Sequence, residues 1–346
     1  MNKWAFHPTW ILGTVLLMLA PPTVSVVMPV YNGERYLADA VRSICQQTFE
    51  DFEFIIVNDG STDGTLAMLQ GFAERDERIC VLDQPNSGVV GASNAGLALA
   101  QGDLLARMDA DDIAMPERLA KQVAYMQAHP ECVGLGTAVR MIDADGDPVR
   151  TYPVPLRHED IDSAMFRTWA IFHPTLMARR EVVIQLGGYR EQFATLEDSD
   201  LFMRLAERGK LANLPEPLVH YRVHLRSLSV TSVKRMNEIV GELQRQTRAR
   251  RGEPIHVPGE PEPSCGPDVL DPAFMQMMWG WWAHDDGHYA TARKHAVRLL
   301  RRRPWDIERW RLLACALRGL WRQGQQDSQT TATEPAIQAA GERVPG

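Results

Sequence analysis

Up to Asp112 the chain alternates short, β-branched apolar runs with stretches whose apolar residues recur at helical spacing, and nearly every run stops at a polar cluster. Val24–Val30 reads as a buried strand and ends in the turn Tyr31-Asn32-Gly33. Residues 34–47 follow with Leu37, Ala40, Val41 and Ile44 on one helical face. A second strand, 53–57, runs into Asn58-Asp59-Gly60-Ser61-Thr62-Asp63-Gly64, and a helix is predicted over 65–73. A third strand covers 79–82, a loop 85–88 and a third helix 89–100. The fourth strand, 104–108, ends in Asp109-Ala110-Asp111-Asp112. Strands joined by helices of this length need right-handed crossovers and hence a parallel sheet. In such sheets a ligand lies beyond the carboxyl ends of the strands, where all three polar clusters fall.

Asp109 and Asp111 are two apart, so a strand tip presents them on one side. Two hard oxygen donors there suit Mg²⁺ or Mn²⁺. The plainer alternative is a solvated acidic turn in which Asp112 caps a helix near Met115-Pro116-Glu117. The clusters together fit a nucleoside diphosphate. Asp59 accepts from a base N–H, Asp109 binds ribose hydroxyls, and Asp111 holds a divalent ion against the phosphates. Asn86, Ser87, Gly88 and Asn94 then line the pocket near the start of helix 89–100, whose N-terminus adds partial positive charge. No Walker A motif is present, which argues against a P-loop nucleotidase. Gly134-Leu135-Gly136 lies inside an apolar run and reads as sheet.

Composition is ordinary for a globular chain: of 346 residues 45% are hydrophobic and 23% charged, enough for one large domain or a domain with an appendage. A net charge of −7 argues against a nucleic-acid partner, yet residues 293–322 hold ten Lys or Arg against Asp306 and Glu308. Five scattered cysteines without a Cys-x-x-Cys indicate neither a disulfide framework nor a zinc site and fit a reducing compartment. The apolar run 10–20 reads as a leader, a membrane-skimming segment or a start upstream of an initiator at Met18. The last two are favoured over export, because the chemistry needs a cytosolic donor.

Met28-Pro29-Val30-Tyr31-Asn32-Gly33, Val57-Asn58-Asp59-Gly60-Ser61-Thr62-Asp63-Gly64, Asn86-Ser87-Gly88 with Asn94-Ala95-Gly96, and Met108-Asp109-Ala110-Asp111-Asp112 resemble, in order and spacing, family 2 glycosyltransferases of the GT-A fold. The resemblance covers about residues 24–229. It implies an α/β fold with a Rossmann-like, mostly parallel sheet and flanking helices. It also implies an inverting transferase using a nucleotide-diphosphate sugar, a UDP-sugar foremost, with Mg²⁺ or Mn²⁺. By that similarity Pro29, Tyr31 and Asp59 fall in the nucleoside pocket, Asp109 is the ribose-side carboxylate and Asp111 the metal ligand. Ser93 stands where the family often has arginine.

In the second half, Asp143 to Asp147 reads as a hairpin turn. Phe172-His173-Pro174-Thr175 precedes a short strand and, by the resemblance, borders the acceptor; His173 itself reads first as structural. Thr195-Leu196-Glu197-Asp198 opens a helix in which Asp198 shares a face with Leu201, Phe202 and Leu205. That carboxylate is a first-turn dipole partner or a buried site residue. It resembles the family's Glu-Asp motif, which makes Asp198 the general base with Glu197 beside it on the acceptor side. Leu218, His220, Arg222 and His224 alternate along a strand, and His224 reads as a third metal ligand, a phosphate contact or a surface histidine.

The expected organisation is an apolar segment 1–22, a catalytic unit 23–230, a helix and Pro/Gly-rich linker 231–272, a helical hairpin 273–323 and a disordered tail 324–346. The hairpin carries the stripes Tyr289-Ala292-Ala296-Leu299-Leu300 and Ile307-Trp310-Leu313-Ala314-Leu317 and either packs on the catalytic unit or lies on an anionic membrane. The expected activity is transfer of a sugar to a hydroxyl of a glycan or lipid-linked acceptor in cell-surface polysaccharide synthesis, in the cytoplasm or at the inner face of the membrane. The competing reading is a catalytically silent nucleotide-sugar-binding or scaffold protein.

Overall fold

The computed structural model describes residues 21–255, 263–266 and 271–340, without the side chains of 228, 229 and 327–340. The apolar run 10–20 and most of the Pro/Gly-rich linker lie outside these residues.

The first half is built as the alternation dictates: β1 (Val24–Val30), α1 (Leu37–Cys45), β2 (Phe52–Asp59), α2 (Thr65–Ala73), β3 (Ile79–Gln84), α3 (Gly88–Leu99) and β4 (Leu104–Arg107). β5 (Ile113–Ala114), α4 (Arg118–Ala128), β6 (Cys132–Ile142), β7 (Pro148–Tyr152), α5 (His158–Ala164), β8 (Met177–Arg179), α6 (Arg180–Gln185), α7 (Glu197–Ala206) and β9 (Lys210–Arg222) complete the sheet and its cover. After α8 (Leu228–Thr231) come α9 (Val233–Arg251), α10 (Pro272–Asp285), α11 (Tyr289–Arg302) and α12 (Ile307–Ala340).

The strand order is β3-β2-β1-β4-β8-β6-β9-β5, with β7 on β6. β1 pairs in parallel with β2 and β4, as β2 does with β3. Beyond β4 the sheet is mixed rather than mostly parallel: β8 is antiparallel to β4 and β6, β5 to β9 and β7 to β6, while β6 and β9 are parallel. A five-residue turn such as Asp143 to Asp147 can only return the chain antiparallel, because a parallel partner needs a long crossover.

The period of two along β1 sorts its side chains. Val24, Val26, Met28 and Val30 face Leu37, Val41, Ile44, Leu69 and Leu119. Val27 faces the other way, with Ile55, Val57, Val90, Leu97, Leu201 and Leu205. Burial on both faces explains why these strands read as continuous apolar runs. α3 lies so close to the sheet that a Cβ on Gly96 would stand 2.4 Å from Val27 Cγ1.

The C-terminal helices dock on the far end of the sheet. Met275 and Trp279 of α10 are buried with Val139, Met141, Val149, Phe172 and Val219, and Asp286 accepts from the Thr151 backbone at 2.7 Å. Ala283, Ala292, Ala296, Leu312 and Ala316 close α10, α11 and α12 on one another. Three helices thus form the unit expected as a hairpin. The expected inward stripe of α12 is corrected as well. Leu312, Ala316 and Gly319 face inward, and Ile307, Trp310 and Leu317 face out. Two apolar stripes share this helix, and only the one with small residues fits against α11. The backbone of α12 stays helical past Gly324 to Ala340, where a structureless tail was expected; Gln, Ala and Glu in this tract are adequate helix formers.

Candidate active site

Three strand ends meet at one edge. Asn32, after β1, has φ 51°; its Oδ1 accepts from Thr62 N at 2.8 Å and its N–H donates to Ser61 Oγ at 2.9 Å. The β1 and β2 loops are thereby tied together. Gly60 has φ +71° and stands where a Cβ would lie 2.7 Å from Asn86 N, so this turn admits only glycine.

Asp59 is buried at the end of β2. Its Oδ1 accepts from Ser87 N at 2.8 Å, Gln84 Nε2 at 2.8 Å and Ser87 Oγ at 3.0 Å, and its carbonyl accepts from Asn86 Nδ2 at 2.9 Å. These bonds fix the carboxylate and leave Oδ2 without a partner among the described residues. Tyr31, Asn86 and Gly88 are exposed and Pro29 half-buried around it. Asn94, expected in the same pocket wall, is spent elsewhere: its Nδ2 donates to Tyr189 O at 2.8 Å and its Oδ1 accepts from Tyr189 N at 2.9 Å. Both ends of the amide are used, so it braces the 187–190 turn instead of facing a ligand. Ser93 is buried with its hydroxyl unpartnered among the described residues.

At the tip of β4, Arg107 Nη2 pairs with Asp109 Oδ1 at 2.7 Å. Arg107 is buried, and its Nε and Nη1 have no partner among the described residues. Its carbonyl accepts from the buried Arg118 Nη2 at 2.7 Å. Burial pushes the Asp109 carboxyl up to about 6 against the pull of Arg107. Asp111 is one-third exposed, and its Oδ2 lies 2.9 Å from His224 Nε2. Since His224 Nδ1 accepts from Arg226 N at 3.2 Å, Nε2 carries the proton and donates to Asp111. Asp112 is not a helix cap. It is buried on β9, where Oδ1 accepts from Arg222 N at 2.7 Å and Oδ2 is unpartnered among the described residues; burial and the neighbouring Asp111 and Asp109 raise its carboxyl well above the ordinary range. Arg222 Nε donates to Asp111 O at 2.8 Å, and its guanidinium lies over Tyr36, 4.5 Å from the ring centroid.

The second wall comes from α7. Asp198 Oδ1 accepts from Ser199 N at 2.6 Å. Burial raises the Asp198 carboxyl and lifts that of Glu197 to about 8, Asp198 adding to the latter. Arg107, Asp109, Glu197 and Asp198 all act electrostatically on Tyr189, whose hydroxyl lies 2.9 Å from His173 Nε2. His173 is buried, and burial drives its pKa well down, so it is neutral. The fully buried Asp200 fixes this wall. It pairs with Arg190 and, at 2.6 Å, with Arg204, whose Nη2 reaches Gly188 O at 2.8 Å. Sequence reasoning missed Arg107, Asp200 and Arg222. A charge inside an apolar strand run was the available signal for Arg107.

The donor-side carboxylates and the α7 pair therefore face one cleft, with more acids than cations. An imidazole beside a carboxylate in such a cleft fits Mg²⁺ or Mn²⁺ held by Asp111 and His224, provided Nε2 gives up its proton. The other acidic cluster among the described residues, Asp143, Asp145 and Asp147, is neutralised by Lys294, whose Nζ contacts all three and lies 3.0 Å from Asp145.

The family model Glycosyl transferase family 2 matches residues 25–187. An uncharacterized glycosyltransferase of Haemophilus influenzae is 34% identical over 235 residues, 65% of this chain and 73% of the relative. The O-antigen biosynthesis glycosyltransferase WbnJ of Escherichia coli is 31% identical over 59% of this chain and 81% of its own. Staphylococcus aureus TarS 1–349, solved with UDP-GlcNAc, shares the fold at TM-score 0.56 and 19% identity, over 85% of this chain and 79% of that one. The mannosyltransferase PcManGT of Pyrobaculum calidifontis, solved with GDP-Man and Mn²⁺, does so at 0.51 and 21%, over 87% and 88%. With the motifs in this order on this sheet and relatives matched over most of their length, the chain belongs to glycosyltransferase family 2 and is a glycosyltransferase.

Proposed function

We propose that residues 23–230 transfer a sugar from a nucleotide-diphosphate donor, a UDP-sugar foremost, to a hydroxyl of a glycan or lipid-linked acceptor, with inversion, in cell-surface polysaccharide synthesis at the inner face of the membrane. The observation that carries this reading is the meeting of the Asp109–Asp111 strand tip with Asp198 around the buried Arg107. The name of WbnJ supports the polysaccharide class, and the UDP-GlcNAc and GDP-Man held by TarS and PcManGT support the donor class.

In this reading Asp59 and Tyr31 hold the nucleoside and Asp109 the ribose, while Asn86 and Gly88 shape the rim. Asp111 and His224 hold a divalent ion, which when bound neutralises charge on the diphosphate leaving group. Asp198 takes the proton of the acceptor hydroxyl as that oxygen attacks the anomeric carbon, a step worth roughly 10²- to 10⁴-fold. The raised pKa of Asp198 makes it a stronger base than an exposed carboxylate. A retaining route by a covalent intermediate needs a second, ionised carboxylate. Glu197, titrating near 8, is largely protonated at neutral pH and suits the acceptor side, with His173 behind it.

Asp198→Asn tests this. Transfer should fall by at least 10²-fold while nucleotide affinity, measured by calorimetry, stays within about twofold. Turnover like the wild type would remove Asp198 as the base, and loss of nucleotide binding would make it structural. A wild-type chain that binds nucleotide but transfers to no acceptor would favour the silent scaffold.

A further inference from the structure

The outward face of α12 has no use in the chemistry above. Ile307, Trp310, Leu317 and Trp321 are 77%, 53%, 48% and 63% exposed, and Trp305 in the turn before them is 80% exposed. Steps of three, seven and four residues put the four helical ones on a single stripe. Leu312, Ala316 and Gly319, on the opposite side, are buried against α10 and α11. A continuous apolar stripe left in water marks an interaction surface.

Charge says which kind. Arg311, Arg318 and Arg322 each follow a stripe position by one residue, so they form an exposed row along one flank, and Arg301, Arg302 and Arg303 extend it at the end of α11. Among the described side chains of α12 the only acid is Glu308, 3.5 Å from Arg311. A second copy of this helix would set arginine row near arginine row with little acid to offset it. Anionic headgroups match the row, and Trp and Ile belong at the boundary between headgroups and acyl chains. No helix among the described residues is long and apolar enough to cross a membrane, so the contact is peripheral.

We propose that the Trp310–Trp321 face of α12, with Trp305, lies flat on an anionic lipid surface and holds the enzyme against the membrane. The reading is independent of the donor chemistry, since it rests on residues remote from the cleft.

The test is flotation of the full chain with vesicles of phosphatidylcholine alone or mixed equally with phosphatidylglycerol, and quenching of tryptophan emission by brominated acyl chains. The wild type should float with the anionic vesicles only, be quenched, and be released by high salt. Trp310→Glu with Leu317→Glu should weaken binding at least tenfold. Arg311→Gln, Arg318→Gln and Arg322→Gln together should weaken it on the order of 100-fold, about fivefold for each arginine. All five side chains are exposed, so melting temperatures should not move; if the glutamate pair unfolds, the arginine set decides. Failure of the wild type to float would overturn the proposal. So would equal flotation of wild type and variants, which would give the binding to another segment such as residues 1–20. A wild-type dimer dissociated by the glutamate pair, without vesicle binding, would assign the face to a second copy.

Discussion

Glu197 and Asp198 are chain neighbours, yet their surroundings divide their roles. Burial lifts Glu197 to about 8 from an ordinary 4.5. An unfolded chain releases this proton near 4.5, while the folded one keeps it until about 8. The stability it contributes is therefore complete at low pH and is lost as pH rises through the folded value. His173 works in the opposite sense, its folded pKa lying below 6.5, so its contribution is lost below that pH. Between pH 6.5 and 8 the Glu197 term stands clear of His173, and the protein should lose about 2 kcal/mol of unfolding free energy, by 1.36 kcal/mol per pH unit. Urea titrations across that window check this. Glu197→Gln should flatten the slope, and an unchanged slope in the variant would give the effect to other groups. Arg107 works at the same scale: with one nitrogen on Asp109 and two unpartnered among the described residues, it is the positive charge around which the acids gather.

Helices and turns carry these residues to one place. Asn94 of α3 holds both backbone groups of Tyr189, and Asp200 of α7 holds Arg190 and Arg204 over the same turn. Asn94→Ala leaves a partly buried N–H and C=O unpaired, which should cost about 1–3 kcal/mol and lower the melting temperature, with nucleotide affinity kept within about twofold. A selective loss of nucleotide binding would return Asn94 to the pocket wall. The four parallel strands were legible because doubly buried strands are bare apolar runs, and their polar tips at Tyr31, Asp59 and Asp109 marked the ligand edge. α2 and α9 have the predicted bounds. The two-residue β5 was too short to show a period. Asp200 looked like one more acid in a helix's first turn. The Asp111–His224 pair spans 113 positions and exists only because β9 runs back beside β5. The α12 stripe was assigned to the wrong face because both faces carry apolar residues and only packing against α11 chooses between them.

Across the whole molecule, the C-terminal helices are joined to the cleft through the β6–β7 turn. Lys294 and Arg298 of α11 hold Asp145, the former contacting Asp143 and Asp147 too. Arg222 bonds the Asp143 and Asp111 carbonyls. One body thus carries a cleft rich in carboxylates at one edge of the sheet and a basic, tryptophan-bearing helix on the C-terminal unit, consistent with an enzyme that meets its acceptor at a surface. The central claim is a metal-assisted nucleotide-diphosphate site. Its most direct test is a thermal-shift panel of UDP, GDP, dTDP, CDP and ADP with and without Mn²⁺, on wild type and Asp111→Ala. The account predicts that one nucleotide stabilises the wild type only with Mn²⁺ and that Asp111→Ala abolishes the metal dependence. A shift that ignores Mn²⁺, or one that persists with the metal in Asp111→Ala, would contradict it.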